Sequence, residues 1–330
     1  MSNARVGQIG KLLASLAIII ALVVVSVLVI QNRQWLQDWY QVSQYQPSAQ
    51  INDIVTKTTM TERSKFIFFA THPEINTADS FNRNCERKEQ SSMILGCYAG
   101  DRIYIYQVED ARLSDVEDVT GAHEMLHAAW QRLDQGEKNR IGALLEAAYA
   151  RVRTEKLDQR MQYYEKAEPG ERINELHSIL GTEFPDLGND LEAYYSQYFS
   201  SRSSIVSLHD SYESLFDELD KKSNELKARI EQEAAQLNKE IESYNAQMTA
   251  LNNDLRAHNA AASSIDRTNK NQVDQYNQAG RQLDTRRSAL EAVKQNLDTR
   301  ISQYNADIQS YNQTVLQSQR LNSSLDSMAQ

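Results

Sequence analysis

The chain has 330 residues, 41% of them hydrophobic, a formal net charge of −10 and a mean hydropathy of −0.61. That length admits two domains, and so low a hydropathy excludes a chain that is compact throughout. Acidic and basic residues are interspersed, with no basic stripe to match a phosphate backbone, which excludes nucleic acid as a partner.

Residues 1–11 carry Arg5 and Lys11 and read as a cytoplasmic amino terminus. From Leu12 to Ile30 the chain runs for 19 residues without a charge, long enough to cross a hydrocarbon core of about 30 Å as a helix. A cleaved signal would have an apolar region of roughly 7 to 15 residues and a small-residue cleavage site. This run is longer and leads into QNRQWLQDWY, so it reads as an uncleaved anchor. Arg33 alone follows it, against two basic residues and the terminus before it, which puts the amino terminus inside. The expected location is therefore the cell membrane, single-pass, with the bulk of the chain extracytoplasmic. Trp35, Trp39 and Tyr40 fall where an outer aromatic belt is favoured, and residues 31–50 read as a stem.

Residues 51–204 read as one globular domain. INDIVTKTTM has the spacing of a short helix, while KFIFFA and RIYIYQV are rich in β-branched and aromatic residues and read as strands. AGD at 99–101 supplies turn chemistry between MILGCY and RIYIYQV, which points to a hairpin. Cys85 and Cys97 are the two cysteines. On the exported side of a membrane they can pair, although separate buried thiols also fit the spacing. From Asp115 onward the pattern is helical, and Pro185 is the last proline.

Residues 205–330 read as coiled coil. Leu237, Ile241, Tyr244, Met248, Leu251, Leu255, His258, Ala262 and Ile265 step by four and three, and Ile301, Tyr304, Ile308, Tyr311 and Val315 repeat the step. SSIDRTNKN at 263–271 is the weakest helical stretch and lies near the midpoint, so an antiparallel hairpin of two arms is expected. One continuous helix pairing with another chain is the alternative. The fold class is thus mainly α with a small β hairpin or sheet, an amino-terminal transmembrane helix and a carboxy-terminal antiparallel coiled-coil hairpin.

The chemistry concentrates in TGAHEMLHAAW, residues 120–130. On a helix, His123 and His127 project from one face about a turn apart, the spacing at which two imidazoles reach one Zn²⁺. Glu124, one residue round, can reach a water beside the metal without ligating it, as a general base must. The flanks are uncharged, which suits a buried helix. The competing structural reading is a core helix whose histidines bond to backbone or carboxylates. His72, His209 and His258 lack partners at ligand spacing and read as structural.

HEMLH resembles the zinc-binding helix of the zincin metallopeptidases. The metzincin extension fails, because Trp130 and Leu133 stand where its glycine and last histidine belong. The gluzincin branch takes a glutamate from a later helix, and INELHSILGTE supplies Asn174, Glu175 and Ser178 in a similar context. That resemblance implies a zincin-like α+β domain and assigns Glu175 as third ligand. On helical spacing, Ser178 and Thr182 share its face and leave room beside a metal. His177 and Glu183 compete for the role, and GTEFPD nominates Asp186 through a fainter likeness to the aspzincins.

The resemblance further implies hydrolysis of peptide bonds, with Glu124 as base toward water activated by zinc. RIYIYQV precedes the zinc helix as the substrate-aligning edge strand does in zincins. Tyr194, Tyr195 and Tyr198 are available to assist the oxyanion, with packing their ordinary role. The expected function is a membrane-anchored extracytoplasmic zinc metallopeptidase acting on a peptide or protein substrate. Its coiled coil could engage an envelope protein or a second copy. The alternative is a membrane-tethered scaffold whose zinc domain is inactive or only structural.

Overall fold

The computed structural model describes residues 19–85 and 95–328. Two compact units divide the chain, Met1–Ser214 with Leu321–Gln330, and Leu215–Arg320. Both are mainly helical, and the first holds a small sheet.

The first unit opens on α1, Ile19–Gln31, whose apolar side chains are all exposed. The expected span begins at Leu12, and residues 12–18 lie outside the described part. Among the described residues no single helix is long and apolar enough to cross a membrane. α1 and α2 (Arg33–Gln44) pass that test together but are bent by 69°. Within residues 31–50, expected as a stem, most side chains are exposed and a few contacts join α2 to the domain. α2 buries Asp38 and packs Val42 and Tyr45 against the core.

α3 (Ala49–Lys57) starts where Ser48 Oγ accepts the Ile51 N–H, and it buries Ile51 and Ile54. KFIFFA is not a strand. It lies in α4 (Glu62–Ala70), where Thr61 caps the first turn and Ile67, Phe68, Phe69 and Ala70 are all buried. α4 begins with charged, exposed residues while its last turn is buried all round, and there tertiary burial overrides the β propensity of those residues.

The sheet has the order β1-β3-β2, with β1 Glu74–Asn76, β2 Gly96–Ala99 and β3 Arg102–Tyr106. β2 and β3 form the expected hairpin, Cys97 facing Tyr104, across a turn in which Gly100 and Asp101 both have positive φ. β1, which the sequence pattern does not single out, pairs parallel to β3, Glu74 facing Tyr104. RIYIYQV therefore supplies the central strand, with both edges taken. Among the described residues the two edge strands are β1 and β2. α5 (Ala78–Asn84) follows β1 and ends at Cys85, which is disulfide-bonded to Cys97.

Behind the sheet lies α6 (Asp115–Gln131), buried over most of its length. α7 (Gln135–Val152) and α8 (Glu155–Ala167) are capped by Asp134 and Thr154 and lead to α9 (Arg172–Glu183). α9 packs extensively on α6. A Cβ at Gly181 would lie 2.6 Å from Leu126 Cδ1, so the bare glycine permits the approach. α10 (Asn189–Tyr195) completes the core with Leu191, Tyr194 and Tyr195.

The second unit comprises most of α11 (Arg202–Ala261) and α12 (Lys270–Ser324), separated by a 3-10 turn, Ala262–Ser264, and an Asp266 turn. Pairs within it run antiparallel. Arg229 binds Asp307, Arg300 binds Glu233 and Glu240, Arg286 binds Asp254, and the His258 ring stacks on Tyr276 at 3.9 Å. Leu251, Leu283 and Leu290 form its buried seam with Tyr244, Met248 and Leu255. The hairpin reading thus holds within one chain, with the reversal in the stretch expected to be weakest.

Candidate metal centre

α6 and α9 bring His123, His127 and Glu175 together, with one ligand atom from each within 4.8 Å of the others. The two Nε2 atoms lie 3.1 Å apart. Glu175 Oε1 is 3.6 Å from His127 Nε2, and Oε2 is 4.0 Å from His123 Nε2. Two ligands at about 2.0 Å from a tetrahedral ion sit about 3.3 Å apart, so these separations match the edges of one coordination shell.

Three observations test whether the residues fit a cation. Glu175 Oε2 is buried with no hydrogen-bond partner, a costly arrangement unless a cation compensates it. His127 Nδ1 is 3.0 Å from Asn174 Oδ1, which can only accept from that nitrogen, so the proton sits on Nδ1 and the Nε2 lone pair faces the centre. Finally, two imidazole nitrogens facing each other can hold one proton between them, and a shared metal satisfies both lone pairs. The group could hold a metal ion, and its burial is nearly complete at 6% exposure for Glu175 and 8% for His127.

The electrostatics follow from that burial. Desolvation drives the His123 imidazole well below its ordinary pKa, with His127 adding to the effect. For His127 desolvation also acts downward, but the Glu175 and Glu124 carboxylates outweigh it and raise the value. Burial raises the Glu175 carboxyl against the pull of His127, and pushes Glu124 up to about 7.

Glu124 is buried beside the centre, under the start of β2. A Cβ built on Gly96 would come within 2.8 Å of Glu124 Oε1 and 2.5 Å of Thr120 Cγ2. The edge strand β2 therefore begins against the carboxylate expected to act as base, a juxtaposition that no helical or strand period in the sequence encodes.

The other candidates lie elsewhere. His177 points into an aromatic cluster, its Nε2 2.8 Å from Tyr194 Oη and its ring stacked on Tyr195, and burial lowers it to about 3. Glu183 accepts two bonds of 2.7 Å from Arg160 Nη1. Asp186 turns back to its own loop, where it accepts the Gly188 N–H. Tyr194, Tyr195 and Tyr198 are core residues around His177. His72 stacks on Tyr45, and His209 lies 3.7 Å from Glu183. The orienting role of Asn174 is legible only once α6 and α9 are seen to face each other; its place beside Glu175 was the one available signal. Compared with family models, curated proteins and solved structures, the chain matches none.

Proposed function

We propose that the chain is a membrane-anchored, extracytoplasmic zinc metallopeptidase with His123, His127 and Glu175 as the protein ligands and Glu124 as the general base. The observation that carries this reading is the convergence of two imidazoles and an otherwise unpartnered buried carboxylate, with a second carboxylate one residue from the first imidazole. Zinc bound there would supply Lewis acidity toward water and a peptide carbonyl. Asn174 holds His127 in the ligating tautomer. Glu124 takes a proton at its carboxylate and returns it to the leaving amine. Both sides of β3 are occupied, and of the two edge strands β2 is the one whose first residue lies against Glu124, so the substrate segment is assigned to β2. The uncharged run Leu12–Ile30 and the Cys85–Cys97 disulfide support anchoring and an oxidising compartment.

The test is digestion of a peptide library by the zinc-loaded full chain and by Glu124→Gln. Cleavage should fall by about 10²–10⁴ in the variant while bound zinc stays stoichiometric. Equal cleavage by the two proteins removes Glu124 from the mechanism, and zinc without cleavage in either removes the peptidase reading.

A further inference from the structure

α2 has two faces of opposite character. One is fixed to the domain. Asp38, 5% exposed, takes a two-pronged bond from Arg132 at 2.6 and 2.8 Å, and Arg132 caps the end of α6. Val42 and Tyr45 pack on the core beside it, and Tyr45 Oη donates to Pro73 O at 2.7 Å. The other face carries Trp35, Leu36, Trp39, Tyr40 and Ser43, all exposed and none charged. The helix cannot roll this aromatic stripe inward without breaking the Asp38–Arg132 pair.

We infer that this outer face of α2 lies along the headgroup layer of the bilayer, nearly parallel to the membrane plane. The inference rests on the anchored reading of α1. Three features identify the occupant as lipid. The stripe is continuous in the chain with α1, whose apolar side chains are all exposed. Its composition, two Trp and a Tyr with one Leu, is that of amphipathic rings at a membrane interface. The bend of 69° sets its direction, because an upright α1 leaves α2 about 20° off the membrane plane. Arg33 is the one basic residue on α2, so the seating depends on aromatic partitioning rather than on anionic lipid. Through Asp38 and Arg132 the same contact fixes the carboxy-terminal end of α6 relative to the membrane.

Depth-dependent quenching by brominated phosphatidylcholine tests this in the full chain in vesicles. Buried Trp130 is kept as a constant background. The reporters are Trp35 (in Trp39→Phe), Trp39 (in Trp35→Phe), and Ser43→Trp in the double Phe variant, with Val24→Trp in the same background reading α1. The expected result is shallow quenching at 35, 39 and 43, with depths agreeing to within about 5 Å, unchanged by added anionic lipid, and deep quenching at 24. A helix rising from the surface would instead spread the three depths over about 12 Å, at 1.5 Å per residue, and would overturn the inference while leaving the anchor intact. Deep quenching at 24 with none at 35, 39 and 43 would show the stripe covered by protein, such as a second copy, and would also overturn it. Absence of quenching at all four positions would overturn the anchor as well.

Discussion

Asn174 Oδ1 lies 3.0 Å from His127 Nδ1, one residue along α9 from the carboxylate that faces the same imidazole. A single turn of α9 thus contributes both a proposed ligand, Glu175, and a group that faces the other ring nitrogen of a second, His127. Asn174→Ala should weaken zinc binding by about 10- to 100-fold, as loss of an orienting partner does. Competition against a chelator reads this directly. Affinity equal to wild type would mean that His127 is held by other contacts.

Gly96→Ala tests the contact between β2 and Glu124. The new methyl would overlap Thr120 Cγ2 and Glu124 Oε1, so strand or carboxylate must shift by several tenths of an ångström. Neither group ligates the metal, so zinc content should stay at wild-type level while peptide cleavage falls by at least tenfold. Full cleavage by the variant would place the reacting carboxylate away from β2.

Asp38→Ala leaves the Arg132 guanidinium buried without its partner, and α2 loses its polar attachment to α6. Breaking a buried pair in this way costs about 3–5 kcal/mol. Urea denaturation should show that loss, and the double variant Asp38→Leu with Arg132→Met should recover much of it. A loss below about 1 kcal/mol would mean that the pair is well hydrated and α2 is held by its other contacts, among them Val42, Tyr45 and the Gln41 O–His72 bond.

The Glu192 carboxyl titrates below its ordinary value. Burial pushes it upward, but the Arg202 guanidinium and the Leu187 N–H outweigh that effect. A lowered folded value means that the stabilisation is complete above the ordinary pKa of 4.5 and is lost as pH falls through the lowered value. The stability gap between wild type and Glu192→Gln should therefore be constant from pH 6 to 7, roughly, and shrink below about pH 4.5. A gap that does not change with pH would show that Arg202, not the charge of Glu192, sets the effect.

The readable parts of this chain are those governed by a short period. Four-residue spacing places His123 and His127 on one face of α6, and the alternating three and four steps from Leu237 to His258 follow the seam of the hairpin, whereas Ala262 and Ile265 lie past the end of α11. Glu175 was reachable through its Asn-Glu-x-x-Ser context, and its place beside both histidines agrees with that choice over His177 and Glu183. What escaped is set by tertiary packing. KFIFFA has strand residues, yet it is helical, with four consecutive residues, Ile67 to Ala70, buried in the core. RIYIYQV is a strand, but its central position depends on the three residues of β1, too short to leave a pattern. The attachment of α2 through Asp38 and Arg132 leaves no local pattern, because the contact spans 94 residues.

The central claim is that one metal ion sits among His123, His127 and Glu175. Anomalous diffraction from crystals of the zinc-loaded full chain, collected on both sides of the zinc absorption edge, tests it most directly. The expected result is a single strong peak with both Nε2 atoms and a Glu175 oxygen about 2.0–2.2 Å away. No peak between these three side chains, or a peak ligated by other residues, would contradict it.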